Sequence, residues 1–267
     1  MKSTTNCIFH YPQKNCPGAA VAKQLRPGPT RRMVRPIPKD SQASPTDHVY
    51  IQPLLIAGIF QHRLSPTNGK SQTSLMEKHA KLYIWNIQIS AAFWGGFHFL
   101  EILLRNAIHQ KLSEYSQSEA WWETDLPLHQ SDRDYMYEAV AKLNNQKKPT
   151  TPERVITQLH FGLWVGLFAR AYHASLWLGN LEEIFPNFEG SRQEIHIALE
   201  SLRKLRNRIA HHEAIYRRDL SFDFESLCSI IGYLDLDTAN LVKSFSKVKE
   251  VLAAKEAVLN GTAELSF

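Results

Sequence analysis

The segment from Phe97 to Leu112 constrains the fold more than any other part of the chain, because its apolar side chains would surround a helix on nearly every side. At about 100° per residue they spread around most of the helix circumference. These side chains are Phe99, Leu100, Ile102, Leu103, Leu104, Ala107 and Ile108. A helix that is apolar nearly all round is buried by other elements. Since the chain shows no alternating strand pattern and no internal repeat, we predict an all-α fold of about five to seven helices.

Periodicity and break residues divide the rest of the chain into further helices. Ser71 or Ser74 is expected to cap a helix that continues to about residue 115, with a kink at Gly95–Gly96. A loop is expected over 117–132. Four more helical stretches are predicted: over 133–144, from Thr151 or Pro152 to about 177, over 191–210, and over 223–257. The last is expected to break at Asp235 and Asp237, because aspartate is a typical turn or cap residue.

The excess positive charge lies at the start of the chain rather than in its helical part. The net charge of +5 and the pI of about 9.0 are typical of a protein that binds nucleic acid or an anionic surface. However, residues 1–46 hold eight of the 31 Lys and Arg and one of the 26 Asp and Glu, so they carry +7 and the other 221 residues carry −2. Seven of the 13 prolines lie in residues 1–48. We expect a disordered, Pro-rich basic tail over 1–48, a linker or peripheral segment over 49–73, and a helical domain over 74–260.

Several kinds of protein are excluded by composition. The three cysteines form neither a disulfide framework nor a four-cysteine zinc site, which favours a reduced, cytoplasmic setting. The most apolar run, Ile87–Leu104, includes His98 and Glu101, so no membrane span is expected. His196 and Glu200 have a helical spacing that metal ligands use, but a third ligand is missing, so we expect a solvated face and no metal or other cofactor.

Ionisable residues form one stripe on the apolar helix. Relative to Glu101, Arg105 lies at about 40°, His98 at about 60° and His109 at about 80°. Burying charge is costly unless the charge is paired. One interpretation is a Glu101–Arg105 pair on a helix edge that reaches water. The other is that the stripe faces a polar cleft and supports a functional site.

A second polar group follows the helix predicted over 191–210. Its core stripe is Ala198, Leu202, Leu205 and Ile209. The polar residues that accompany this stripe are Arg203, Lys204, Arg206, Asn207, Arg208, His211, His212 and Glu213. On a straight helix Arg206 and His211 would lie about 140° apart, so they would reach a ligand from two sides of a groove, or the helix would distort. The plain alternative is a basic, solvated helix face with two incidental histidines.

The tryptophans are mostly expected in the core. Trp85, Trp94 and Trp164 lie at helical positions next to Leu and Phe, which predicts burial. The pair Trp121–Trp122 lies in the expected loop, so it is the pair considered for a substrate or dimer contact.

The spacing of Arg206, Asn207 and His211 resembles the motif of HEPN domains, in which Arg and a polar residue precede His by four to six intervening positions. The surrounding "LRNRIAHHE" is similar to the abortive-infection-like (Abi-like) branch of these proteins. Five further blocks look like that branch, in its order: "LYIWN", "LEILLRNAI", "LHFGLWVGLF", "IFP" and "FSKVKEVLAAK". The resemblance covers roughly residues 75–257. It implies a HEPN-like helical bundle with additional helices.

The resemblance also implies a function, a metal-independent endoribonuclease of phage defence or toxin type. RNA carries its own nucleophile, the 2′-hydroxyl, which attacks the adjacent phosphate. Histidine suits the proton transfers, and arginine suits the phosphate. The implied catalytic residues are therefore His211 as general base or acid, Arg206 at the phosphate, and Asn207, which would orient His211 or bind the phosphate.

The remaining polar residues are expected to assist at the same site. Glu101, Arg105, His109, His212 and Glu213 are expected to support it, with Arg105 as a hypothetical second phosphate contact. Arg203, Lys204 and Arg208 are expected to bind RNA.

The implied partners are RNA and a second copy of the chain, which would share a composite active site, with an antitoxin protein as a further partner and no membrane. Two alternatives stay open. One is a catalytically inactive helical module that binds RNA, a nucleotide or a protein. The other is a toxin that a cognate antitoxin silences.

Overall fold

The structure is a computed structural model, which describes the backbone of residues 70–263 and the side chains of residues 77–263. The tail expected over 1–48 and residues 49–69 of the expected linker lie outside these residues. Between residues 70 and 263 the protein is all-α, as predicted, and no β-strand occurs there.

Nine α-helical segments follow one another in the described part of the chain. They are α1 (Lys70–Ser116), α2 (Gln130–Asn145), α3 (Pro152–Gln158), α4 (Phe161–Gly166), α5 (Arg192–Ala210), α6 (Leu220–Leu234), α7 (Leu236–Phe245), α8 (Val248–Ala253) and α9 (Lys255–Asn260). Single 3₁₀ turns at Trp121–Glu123, Arg170–Tyr172 and Leu181–Ile184 and a π-helical turn at His173–Trp177 lie between them. The number of helices exceeds the expected five to seven because two long predicted helices are divided.

Helix α1 is the central element, and helices α4 to α9 all pack against it. It is 47 residues long and continues through Gly95 and Gly96, where a kink was expected. Its most buried side chains recur every three or four residues: Trp85, Ile89, Phe93, Phe97, Leu100, Leu104, Ile108 and Leu112. Burying each such side chain contributes about 1.5–3 kcal/mol. The stripe therefore accounts for the central position of α1, while its other faces stay partly exposed.

Helix α1 also meets the length and composition criteria of a membrane span. An 18-residue window within Glu77–Ser116 has a mean hydropathy of 1.3, and 33% of that window is buried in the protein. The central helix of a helical bundle meets the same criteria. Length and composition therefore do not decide between a membrane span and the central helix of a bundle. In the structure, six helices pack against α1.

Helix α5 begins and ends as its sequence predicts. Ser191 Oγ accepts a hydrogen bond from the Glu194 N–H at 3.3 Å, and Glu194 Oε2 accepts one from the Ser191 N–H at 3.2 Å, which is a capping box. The buried stripe consists of Ile195, Leu199, Leu202, Leu205 and Ile209. Asp235 is likewise the N-cap of α7, where its side chain accepts from the Thr238 N–H at 2.6 Å.

The helix predicted from Thr151 or Pro152 to about 177 is wrong beyond Gln158. Pro152 does begin a helix, but Leu159 and His160 are extended, and a new helix starts at Phe161. The His160 Nδ1 accepts a hydrogen bond from the Leu163 N–H at 3.1 Å, so it caps α4 and favours the break. A continuous apolar run packs as well in two short helices as in one long helix, so its composition did not reveal the break.

The tryptophans depart from the prediction at two places. Trp85 and Trp164 are buried as predicted, but Trp94 is 45% exposed. Trp121 and Trp122, considered for a substrate or dimer contact, are 0% and 2% exposed. Their large apolar rings pack edge to face, and Trp121 also packs on Trp164. This pair is part of the core.

Candidate functional site

An ion pair between α5 and α1 lies at the centre of the candidate site. Arg206 Nε donates to Glu101 Oε1 at 2.7 Å, and Arg206 Nη2 donates to Glu101 Oε2 at 3.4 Å. The two side chains are 29% and 28% exposed. This planar, two-point geometry is the arrangement in which Arg binds a carboxylate or a phosphate most specifically. Arg206 is therefore held at the edge of the core with part of its surface accessible.

The pair replaces the Glu101–Arg105 pair that helical spacing allowed. Glu101 is bonded to Arg206, whereas Arg105 Nε donates to the neighbouring Asn106 Oδ1 at 3.2 Å. Burial lowers the pKa of Arg105, and the charge of Glu101 partly offsets this effect. The cross-helix pair prevails because the two guanidinium N–H groups of Arg206 meet both carboxylate oxygens.

Trp94 completes the surroundings of Arg206. The guanidinium carbon of Arg206 lies 5.6 Å from the centre of the Trp94 ring. Trp94 and Glu101 are seven residues apart, about two helical turns, so both reach Arg206 from the same face of α1. Since Trp94 is 45% exposed, an aromatic surface borders the ion pair.

His211 and His212 lie where α5 ends. The His212 N–H bonds to the Ile209 carbonyl at 3.1 Å, and the Glu213 N–H bonds to the Arg208 carbonyl at 2.8 Å. These two bonds form a Schellman motif, and His212 occupies its left-handed residue with φ +59°. His211 is the C-cap with φ −92° and ψ 9°. The helix therefore stays regular through Ala210 and does not distort between Arg206 and His211.

In the part of the chain that the structure describes, no hydrogen bond, ion pair or ring contact joins Arg206 to His211 of the same chain. Arg206 lies beside the buried stripe of α5, whereas His211 lies about 140° around the axis from it. Among the described residues, the side chains of His211 and Asn207 have no hydrogen bond or ion pair, and His211 is exposed. The structure thus brings Glu101 to Arg206 and leaves His211 open to a partner or ligand.

The other basic residues expected to bind RNA differ in how closely a carboxylate pairs with their charge. Arg203 is held by Glu200 through two hydrogen bonds of 2.8 Å and 2.6 Å. Arg208 is 3.9 Å from Glu213, which is a weak surface pair, and Lys204 is exposed. No cluster of three metal-ligating side chains occurs between residues 77 and 263.

His109, expected to support the site, contacts a different part of the protein. Its Nδ1 accepts a hydrogen bond from the buried Trp121 Nε1 at 3.0 Å. Because the indole N–H can only donate, this bond requires the neutral ring with its proton on Nε2. Burial lowers the pKa of His109, which favours the neutral ring that this hydrogen bond needs.

His160 is a candidate that the sequence analysis missed. It lies at the start of α4, which packs on both α1 and α5. Burial is the largest cause that lowers its pKa, and the charges of Arg203 and Arg206 lower it further, while Asp132 raises it. His160 and Arg203 flank Gly162, since a Cβ atom there would lie 3.0 Å from His160 Nδ1 and 3.6 Å from Arg203 Cδ, and Arg206 follows Arg203 by three residues on α5. Its place in the block "LHFGLWVGLF" is the available signal, but His is not a typical helix cap, so the pattern predicts a position in the helix interior.

A large apolar groove lies on another face of α1. Its volume is about 820 Å³, and its walls come from α1, α7, α8 and α9, with Gly95, Phe99, Leu241 and Phe245 among the lining residues. Gly95 lies about 120° around α1 from Glu101, so this groove is separate from the polar site.

Comparison with known proteins gives no relative. No family model matches the chain, and neither a curated protein nor a solved structure matches it. The resemblance to Abi-like HEPN proteins therefore rests on the sequence blocks quoted above.

Proposed function

We propose that the protein is a metal-independent endoribonuclease of the HEPN type, acting in phage defence or as a toxin. One observation carries the proposal: α5 holds Arg206 in a two-point ion pair under an exposed tryptophan and ends in the exposed His211. An arginine held in this way can transfer its two donors from a carboxylate to a phosphate. Together with the resemblance, this favours a site that acts on RNA phosphates.

The chemistry follows from the residue types. The 2′-hydroxyl attacks the adjacent phosphorus, a base removes its proton, and an acid protonates the departing 5′-oxygen. His211 acts as base or acid, and Arg206 stabilises the charge on the phosphate oxygens. Asn207, one turn before His211, orients it or binds the phosphate. The products carry a 2′,3′-cyclic phosphate and a 5′-hydroxyl.

A second copy of the chain completes this site in the proposal. Arg206 and His211 lie about 140° apart on α5. One chain therefore does not direct both side chains to the same side of a single phosphate. Two copies related by a two-fold axis would place two Arg206 and two His211 side chains around one cleft. The second His211 would then supply the other proton transfer.

One observation favours the alternative of a non-catalytic module. The charges of Arg206 and Arg203 are already paired with Glu101 and Glu200. A protein that used these arginines only to hold α5 in place would show the same contacts.

Product analysis separates the two functions. The purified full chain is incubated with tRNA and mRNA in excess EDTA, and the ends of the products are identified by mass spectrometry. We expect cleavage in EDTA, cyclic phosphate ends, and no cleavage where the scissile nucleotide is 2′-deoxy. No cleavage of any RNA, or cleavage that EDTA abolishes, would overturn the proposed function.

A further inference from the structure

We propose that His160, together with Arg203 and Arg206, forms a phosphate-binding site for the backbone of a single-stranded RNA. The proposal rests on the proposed function for the identity of the ligand as RNA, but its phosphate chemistry stands on contacts in the structure. The site joins the start of α4 to one face of α5.

The ring of His160 is held in one orientation. Its Nδ1 accepts the Leu163 N–H at 3.1 Å, so in the neutral ring Nε2 carries the proton. The Tyr135 ring meets it edge to face, with centres 4.5 Å apart. Among the described residues, no acceptor is bonded to the Nε2–H group. His160 therefore presents a fixed donor to solvent.

Gly162 brings His160 and Arg203 together. A Cβ atom at Gly162 would lie 3.0 Å from His160 Nδ1 and 3.6 Å from Arg203 Cδ. The imidazole and the arginine stem therefore flank the same point on the first turn of α4. An alanine Cβ there would crowd the His160 ring, which would have to move by a few tenths of an ångström, whereas its distance from Arg203 is an ordinary contact.

The cations nearest His160 are paired with carboxylates, Arg203 with Glu200 and Arg206 with Glu101, so an anion binds here by displacing those carboxylates. Arg203 and Arg206 on α5 are cations close enough to lower the pKa of His160, and Asp132 on α2 is the opposing carboxylate. The hydrogen bond that Nδ1 accepts and the lowered pKa both favour the neutral ring, which donates through Nε2–H without carrying charge. Two guanidinium groups released from their carboxylates, together with one neutral donor, suit a phosphodiester, whose single negative charge is shared by two oxygens.

Glu101 and Glu200 occupy both arginines in the free protein. Each carboxylate receives two hydrogen bonds from its arginine, which is also how a phosphate would bind. A bound phosphate would take over these donors and add the bond from His160.

Binding is measured with a fluorescent RNA oligonucleotide whose riboses are all 2′-O-methylated, so that cleavage cannot occur and binding is separated from the proposed function. His160→Asn keeps an N-cap for α4 and loses the imidazole donor. Gly162→Ala crowds the His160 ring without removing it. His79→Asn is the matched control, because His79 is an exposed histidine on α1, about 33 Å along the helix from Glu101.

We expect His160→Asn to weaken binding about tenfold, as for the loss of one hydrogen bond to a charged group, Gly162→Ala to weaken it by a smaller factor, and His79→Asn to leave it unchanged. Because His160 is neutral, His160→Asn leaves the slope of log affinity against log salt unchanged, whereas Arg203→Ala reduces that slope. Inorganic phosphate should compete with RNA for the wild type.

Three results would overturn the proposal. They are equal affinity of the His160→Asn and His79→Asn variants, the absence of wild-type binding, or the failure of inorganic phosphate to compete with RNA. Cleavage of unmodified RNA by the same preparations would still support the endoribonuclease, so the two failures are distinguishable.

Discussion

Arg206 Nε lies 2.7 Å from Glu101 Oε1, across a separation of 105 residues in the chain. The contact ties the last turn of α5 to the middle of α1 and fixes the guanidinium beneath Trp94. Any ligand that uses Arg206 must meet it in this position.

The strength of the Glu101–Arg206 ion pair is measured by a double-mutant cycle of Glu101→Gln and Arg206→Gln in urea unfolding. We expect a coupling energy of about 0.5–1 kcal/mol, because the pair is two-point and only partly exposed. The control is Glu77–Lys81, an i,i+4 pair on α1 whose glutamate is 64% exposed, where about 0.3 kcal/mol is expected. Equal coupling in both pairs would mean that Arg206 is not held.

The His109–Trp121 hydrogen bond predicts a structural role for His109. His109→Leu leaves the Trp121 N–H buried without an acceptor, so we expect a loss of about 1–3 kcal/mol in the free energy of unfolding. His109→Gln offers an oxygen acceptor and should recover part of that loss. The double variant His109→Leu/Trp121→Phe should lose less free energy of unfolding than the sum of the losses in the two single variants, because both remove the same hydrogen bond. If His109→Leu is as stable as His79→Leu, the bond contributes nothing.

Acid is predicted to destabilise the protein below about pH 6.5. Burial lowers the pKa of His109 and of His196 in the folded state, whereas an unfolded histidine has a pKa near 6.5. As the pH falls through this window, the unfolded chain binds more protons than the folded chain, so the free energy of unfolding decreases. Urea unfolding at pH 7.5 and pH 5.5 measures the decrease. It should be smaller in His109→Gln, and a larger or equal decrease there would contradict the assignment.

The left-handed residue at the end of α5 predicts a stabilising substitution. His212 has φ +59°, which glycine adopts without steric cost. His212→Gly should therefore raise the free energy of unfolding by up to about 1 kcal/mol, and His212→Val should lower it. Thermal unfolding measures both variants. A lower melting temperature for His212→Gly would show that the imidazole has a stabilising contact.

Local sequence signals predicted local structure well. The helix predicted over 191–210, the cap expected at Asp235 and the helical character of Phe97–Leu112 each depend on residues within one or two turns of one another. Such signals survive packing because the hydrogen bonds that they describe are made within the element itself.

Contacts between distant elements had no such signal. The polar stripe on α1 predicts that Glu101 needs a partner, and helical spacing favours Arg105, but only the packing of α5 on α1 decides for Arg206. His160 was missed for the same reason, since its neighbours Arg203 and Arg206 belong to another helix. The exposure of Trp94 likewise depends on the packing of other helices against α1, which its own sequence does not encode.

The central claim is that Arg206 and His211 act together on RNA, and the most direct test is the initial rate of RNA cleavage in EDTA by Arg206→Ala and by His211→Ala. Two controls accompany them. Lys255→Ala removes a cation that lies 4.7 Å over Trp85 on a distant part of α1, and His79→Ala removes an exposed histidine. We predict that each site variant, folded by circular dichroism, is at least about 100-fold slower than the wild type, while both controls stay within about twofold. Cleavage by His211→Ala or Arg206→Ala at the wild-type rate would contradict the claim.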